Sequence, residues 1–78
     1  MDGTTIDLRE IAPPDRHEAV YEAFEDLDSG SSLELINDHD PKPLFYEMAA
    51  EVPSFDEEGY AVEQRGPQTF VALFPKEA

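Results

Sequence analysis

Apolar positions in this chain follow two spacings, and the switches between them predict an order of elements. Residues 4–8 set Ile6 and Leu8 around Asp7, the period of two expected of a short strand. A loop closed by Pro13-Pro14 follows. From Arg16 onward, Val20, Ala23, Phe24 and Leu27 recur at helical spacing, while Glu18, Glu22, Glu25 and Asp26 fall elsewhere on the wheel, which predicts an amphipathic helix. Asp15, three residues before Glu18, resembles a capping arrangement at its start, and Ser29-Gly30 supplies a stop.

Residues 32–37 carry Leu33, Leu35 and Ile36 and predict a second strand, which runs into the turn Asn37-Asp38-His39-Asp40-Pro41. Asp40 is placed to cap a second helix whose apolar stripe is Leu44, Phe45, Met48, Ala49 and Val52. Pro41 and Pro43 fall in its first turn, where missing backbone donors cost little, and Pro53 ends it. Residues 54–59 are expected to form an acidic loop. Residues 60–63 and 68–74 then form the strands of a hairpin joined across Arg65-Gly66-Pro67. The order β-α-β-α-β-β predicts one α/β domain over residues 1–78, a two-layer sandwich with both helices on one face of a mixed four-stranded sheet.

Size and charge narrow the function. A chain of 78 residues buries roughly 60% of its unfolded surface and supports a single core. Without cysteine it has no disulfide framework, no Cys-type zinc site and no thiol nucleophile. The longest apolar run is residues 70–74, and Met1-Asp2-Gly3 opens with an acid, so neither a membrane-spanning helix nor a secretory leader is expected, and the expected location is cytoplasmic. Nineteen acidic residues against five basic ones give a net charge of −14, which opposes binding to nucleic acid and to anionic membranes. An apolar fraction of 40%, periodically placed, argues for a folded chain rather than a disordered one. Acids along every segment beside only two lysines, Lys42 and Lys76, suggest a halophilic protein of a salt-rich cytoplasm; the alternative is an acidic protein that its charge merely keeps soluble.

Topology locates the candidate chemistry. A strand-helix-strand crossover makes the first two strands parallel, so the loops that follow them, residues 9–17 and 37–41, share one sheet edge. Both histidines and two of the three arginines gather there, beside two helix N-termini, where open α/β sheets bind ligands. The candidate ligand-binding residues are therefore Arg9, Arg16, His17, Asp38 and His39. His17 is expected on the inward stripe with Val20 and Phe24, either as a packing residue bonded to a loop carbonyl or as a ligand or proton-transfer group; the same two roles stand open for His39. His17, His39 and Asp38 could hold a transition metal ion as two imidazoles and a carboxylate, although their spacing is not diagnostic. The rival ligand is a small anion on Arg9, Arg16 and the helix N-termini. Glu10, Asp15, Asp38 and Asp40 oppose it, and pairing with these acids is the simpler role for both arginines. No Ser-His-Asp order or Gly-rich phosphate loop is present, so no catalytic residue is assigned.

Three stretches carry a family resemblance: Ile6-Asp7-Leu8-Arg9, Pro13-Pro14-Asp15-Arg16-His17-Glu18, and Leu33-Glu34-Leu35-Ile36-Asn37-Asp38-His39-Asp40-Pro41-Lys42-Pro43-Leu44. Together they resemble the domain of unknown function 2249, the Asn-Asp-His-Asp-Pro-x-Pro-Leu stretch being the most specific. The resemblance implies a TusA-like (SirA-like) two-layer fold and a redox- or respiration-linked accessory role, since relatives stand alone or are joined to hemerythrin-like, cation-binding domains. TusA carries sulfur on the cysteine of a Cys-Pro-x-Pro motif. Here the comparable stretch is Ala12-Pro13-Pro14-Asp15, so cysteine-dependent sulfur transfer does not carry over. Three readings result: an accessory domain binding a small ligand or metal at the shared edge, an interaction module that self-associates or docks a partner such as a hemerythrin-like domain through the sheet face around the last strand, and, third, an enzyme using a histidine base.

Overall fold

Alternation in one central strand organises the molecule. In β2 (Ser32–Asn37), Leu33, Leu35 and Asn37 are buried and alternate with half-buried Ser32, Glu34 and Ile36, so one face of the strand is core and the other is covered only in part. The computed structural model describes residues 3–78; Met1 and Asp2, used above in the expectation that no leader is present, lie outside the described residues. Around β2 stand β1 (Thr4–Asp7), β3 (Ala61–Gly66) and β4 (Thr69–Pro75), in the order β1-β2-β4-β3. β1 pairs with β2 in parallel and the other pairs are antiparallel, giving the expected mixed sheet. Two helices, α1 (Arg16–Glu25) and α2 (Lys42–Glu51), follow β1 and β2. Val20 and Phe24 from α1, Leu27 just after it, and Leu44 and Met48 from α2 share one core with Leu33, Leu35, Ala72 and Phe74, so both helices cover the same sheet face.

Several boundaries differ from the expectation, each for a local reason. β1 stops at Asp7 because its carboxylate accepts the Arg9 backbone N–H at 3.0 Å, starting a 3-10 turn over Leu8–Glu10 that swings Leu8 into the core. Asp15 does not cap α1. A 3-10 turn over Pro13–Asp15 leads straight into the helix, which leaves Asp15 in helical rather than extended backbone, and its side chain makes no capping bond. Asp40 does not cap α2 either: Pro41 takes that position, with Pro43 at the helix start, and among the described residues no side chain caps the free N–H groups.

α1 ends at Glu25, before Ser29-Gly30, and its last carbonyls are satisfied from across the molecule. Lys76 Nζ donates to the carbonyl oxygens of Phe24, Glu25 and Leu27 at 3.2, 3.2 and 2.9 Å and lies 5.5 Å from the Phe24 ring centre. Gly30, at φ +85°, turns the chain into β2, and its N–H donates to the Lys76 carbonyl at 3.1 Å. Residues 54–59 are more than an acidic loop: Phe55 is buried in the core, bridges to Lys76 and packs edge-on to Phe24 and Phe45. The hairpin turns at Pro67-Gln68 rather than across Arg65-Gly66-Pro67, because β3 continues through an irregularity between Gln64 and Gly66. On the open sheet face, Val71 is nearly buried and Leu73 is 38% exposed. Among the described residues, no helix is long and apolar enough to cross a membrane.

Candidate ligand site at the shared loop edge

The carboxyl ends of β1 and β2 do share an edge, and a cavity of about 240 Å³ opens there between the first turns of α1 and α2. Its apolar wall is Leu8, Pro13, Pro41, Pro43 and Leu44; its polar groups are Arg16, His17, Asn37 and His39. Of the five candidate ligand residues, the fold therefore brings Arg16, His17 and His39 to one cavity, while Asp38 stands beside it and Arg9 lies apart.

Arg16 is the first residue of α1, and its side chain is 14% exposed. Nε donates to the Ile11 carbonyl at 2.9 Å, which fixes the guanidinium plane, and one terminal nitrogen lies 3.5 Å from Asn37 Oδ1 and 3.7 Å from Asp38 Oδ1. Asp38 Oδ1 also lies 2.7 Å from His39 Nδ1, and this bond, followed by the Arg16 charge, holds the carboxyl below its ordinary value. With Nδ1 engaged, His39 presents Nε2 as its free ring nitrogen; the ring is 64% exposed.

His17 corrects its expected position. Its side chain is 59% exposed rather than inward, because at the start of α1 it turns toward the neighbouring helix α2 instead of the sheet. Nδ1 faces Glu47 Oε1 on α2 at 3.0 Å, but the pair is not aligned as a hydrogen bond, and that buried oxygen has no bonded partner among the described residues. Arg9 instead grips Asp7 through two nitrogens at 2.8 and 2.7 Å and reaches Thr69 Oγ1 at 3.4 Å, lining with Asp38 a separate open depression against the hairpin. That paired contact lowers the Asp7 carboxyl below its ordinary value and raises Arg9.

The residue that sequence reasoning passed over is Asn37. It is 4% exposed and ends the inward stripe Leu33, Leu35, Asn37, where a hydrocarbon would be expected. Its Oδ1 accepts from the Asp38 N–H at 2.9 Å and from Arg16, which sets the orientation of the amide: Nδ2 is the other arm, and among the described residues no protein group accepts from it. The signal was present in the alternation, as a polar amide on the core-facing register of a buried strand at its carboxyl end.

The expected metal set is divided. His17 turns Nδ1 to Glu47, His39 to Asp38, and among the described residues no three His, Cys, Asp or Glu side chains converge to hold an ion. Two imidazoles beside a guanidinium fit a resident metal poorly.

The sequence profile of the uncharacterized conserved protein family DUF2249 matches residues 5–76. The chain belongs to the DUF2249 family. No curated protein and no solved structure matches it significantly. The DUF2249 match runs from β1 to the lysine that closes α1, and so includes every residue that lines the cavity.

Proposed function

We propose that this DUF2249 domain is a non-enzymatic accessory domain that binds a small molecule in the cavity between the β1–α1 and β2–α2 connections. The observation that carries the proposal is Asn37: a residue only 4% exposed, whose side-chain NH₂ finds no protein acceptor among the described residues, beside a part-buried guanidinium, in a cavity with apolar walls. Arg16 and Asn37 hold the ligand, His17 and His39 form the exposed rim, and Asp38 positions His39. A small molecule is favoured over a metal ion because a guanidinium lines the cavity and, among the described residues, its imidazoles lack a third ligand. The redox- or respiration-linked setting remains the expectation raised by the resemblance.

A second reading keeps the open sheet face as a docking surface for a second copy or for a partner such as a hemerythrin-like domain; the observation favouring it is exposed Leu73 beside Val71. One experiment separates the two. In a screen of small-molecule and metal-ion mixtures followed by amide chemical shifts, a ligand of this site moves Leu8, Arg16, His17, Asn37, His39 and Leu44 together. Shifts confined to Ile36, Val71 and Leu73 that depend on protein concentration support docking instead.

A further inference from the structure

Resting on that reading of the cavity, we infer that its ligand is a small organic monocarboxylate with an apolar body. Three features of the cavity select this class. The first is charge. Arg16 is the sole guanidinium lining the cavity, and Asp38 at 3.7 Å already takes part of its field. Glu47 stands behind His17 at 3.0 Å, and the whole chain carries −14. One positive group amid acids matches one negative charge; a dianion such as phosphate gains little from Arg16 and meets the repulsion of all the rest.

The second feature is donor geometry. Nε of Arg16 is spent on the Ile11 carbonyl and one terminal nitrogen leans toward Asn37 and Asp38, but no protein bond among the described residues uses the other terminal nitrogen. Asn37 Nδ2 is likewise a donor with no acceptor among the described residues. Both donors belong to residues that line the cavity and that are joined by the 3.5 Å contact between Arg16 and Asn37 Oδ1, so a planar carboxylate, with two oxygens, can offer one acceptor to each. A neutral ligand bearing a single carbonyl leaves one of these donors unsatisfied.

The third is shape. Leu8 and Leu44 with Pro13, Pro41 and Pro43 make much of the cavity lining hydrocarbon, which a bare inorganic anion cannot use. A volume of about 240 Å³ lies below the roughly 300–1,000 Å³ of drug-sized sites, and so limits the body to a short aliphatic chain or one ring.

The full chain is titrated with butanoate, pentanoate and benzoate, with their primary amides, and with inorganic phosphate, at millimolar concentrations in high salt, followed by amide and side-chain NH₂ shifts. The carboxylates should move the Asn37 side-chain NH₂ together with Leu8 and Leu44, and bind roughly tenfold or more tightly than their amides. Asn37→Asp keeps an oxygen to accept from Asp38 and Arg16 but replaces the free donor by a second carboxylate oxygen; it should abolish carboxylate binding with backbone shifts outside the cavity unchanged. Arg16→Lys, which keeps the charge but loses the planar fork, should weaken binding and reduce the preference over amides. Amides binding at the cavity as tightly as carboxylates overturn the ligand class while leaving the cavity as a site, and so does phosphate binding there at least as well. No carboxylate shifting the cavity also overturns the class; carboxylate shifts confined to the sheet face overturn both the class and the site.

Discussion

Two buried groups with unequal satisfaction show how single residues shape this domain. Asn37 and Tyr60 both place a polar end in the interior, but Asn37 is tied on one arm, whereas the Tyr60 hydroxyl is buried with no bonded partner among the described residues. Burial, then the nearby Asp40 carboxylate, pushes the Tyr60 phenol up to about 12 from 10.0. An acid with a raised native value contributes stability that is complete below pH 10 and is lost as pH rises from 10 toward 12. Tyr60→Phe keeps the ring packed between Phe45 and, edge-on, Phe74, removes the stranded hydroxyl and removes this ionisation. It should be as stable as the native chain or more stable by about 1 kcal/mol at neutral pH, and should resist alkaline unfolding better, in denaturant titrations at pH 7 and above 10. Asp38 shows the opposite sign. Its lowered native value means that its contribution is present above 3.8 and is lost as pH falls through that lower value, so the Tm difference between the native chain and Asp38→Ala should shrink as an acid series in constant high salt passes below 3.8.

At the level of elements, the ends of the helices are held less by their own caps than by the rest of the chain. Among the described residues neither helix start has a side-chain cap, and the end of α1 is closed by Lys76, about 50 residues away, through three carbonyls. Lys76→Met keeps most of the aliphatic stem and removes the donors; it should cost about 2 kcal/mol in denaturant unfolding, with amide exchange fastest at the end of α1. This contact also marks what the sequence could convey. The stripes Val20, Phe24, Leu27 and Leu44, Met48 were readable because periodicity is a local property, and with them the element order, the mixed sheet and the shared loop edge. Phe55 was hidden in an acidic stretch because its burial depends on pairing with Lys76, a contact that no local pattern records. His17 followed the helical spacing of the core but turns to Glu47 on α2, a contact between helices that the spacing within one helix does not record. Asn37 was legible in the strand alternation, yet its importance depends on where the first turns of two helices converge.

For the whole molecule, charge and cavity act on different scales. Acids dispersed over a small surface repel one another in dilute buffer, and counter-ions screen them within about 10 Å at 0.1 M salt and about 3 Å at 1 M. Circular-dichroism melts should therefore show a higher midpoint in molar KCl than in dilute buffer, as expected for a halophilic protein; a midpoint that salt leaves unchanged or lowers contradicts that expectation. The cavity depends on a local arrangement instead, since its donors are part-buried and held by short contacts. The most direct measurement of whether it is a binding site is the Asn37 side-chain NH₂ resonance pair, followed in high salt during titration with whichever small molecule the screen identifies. A ligand of this site shifts that pair in concert with Leu8, Arg16 and Leu44 and loses its affinity in Asn37→Asp while that chain's backbone shifts outside the cavity match the native ones. A ligand that leaves the pair unmoved, or that binds Asn37→Asp as well as the native chain, contradicts the assignment.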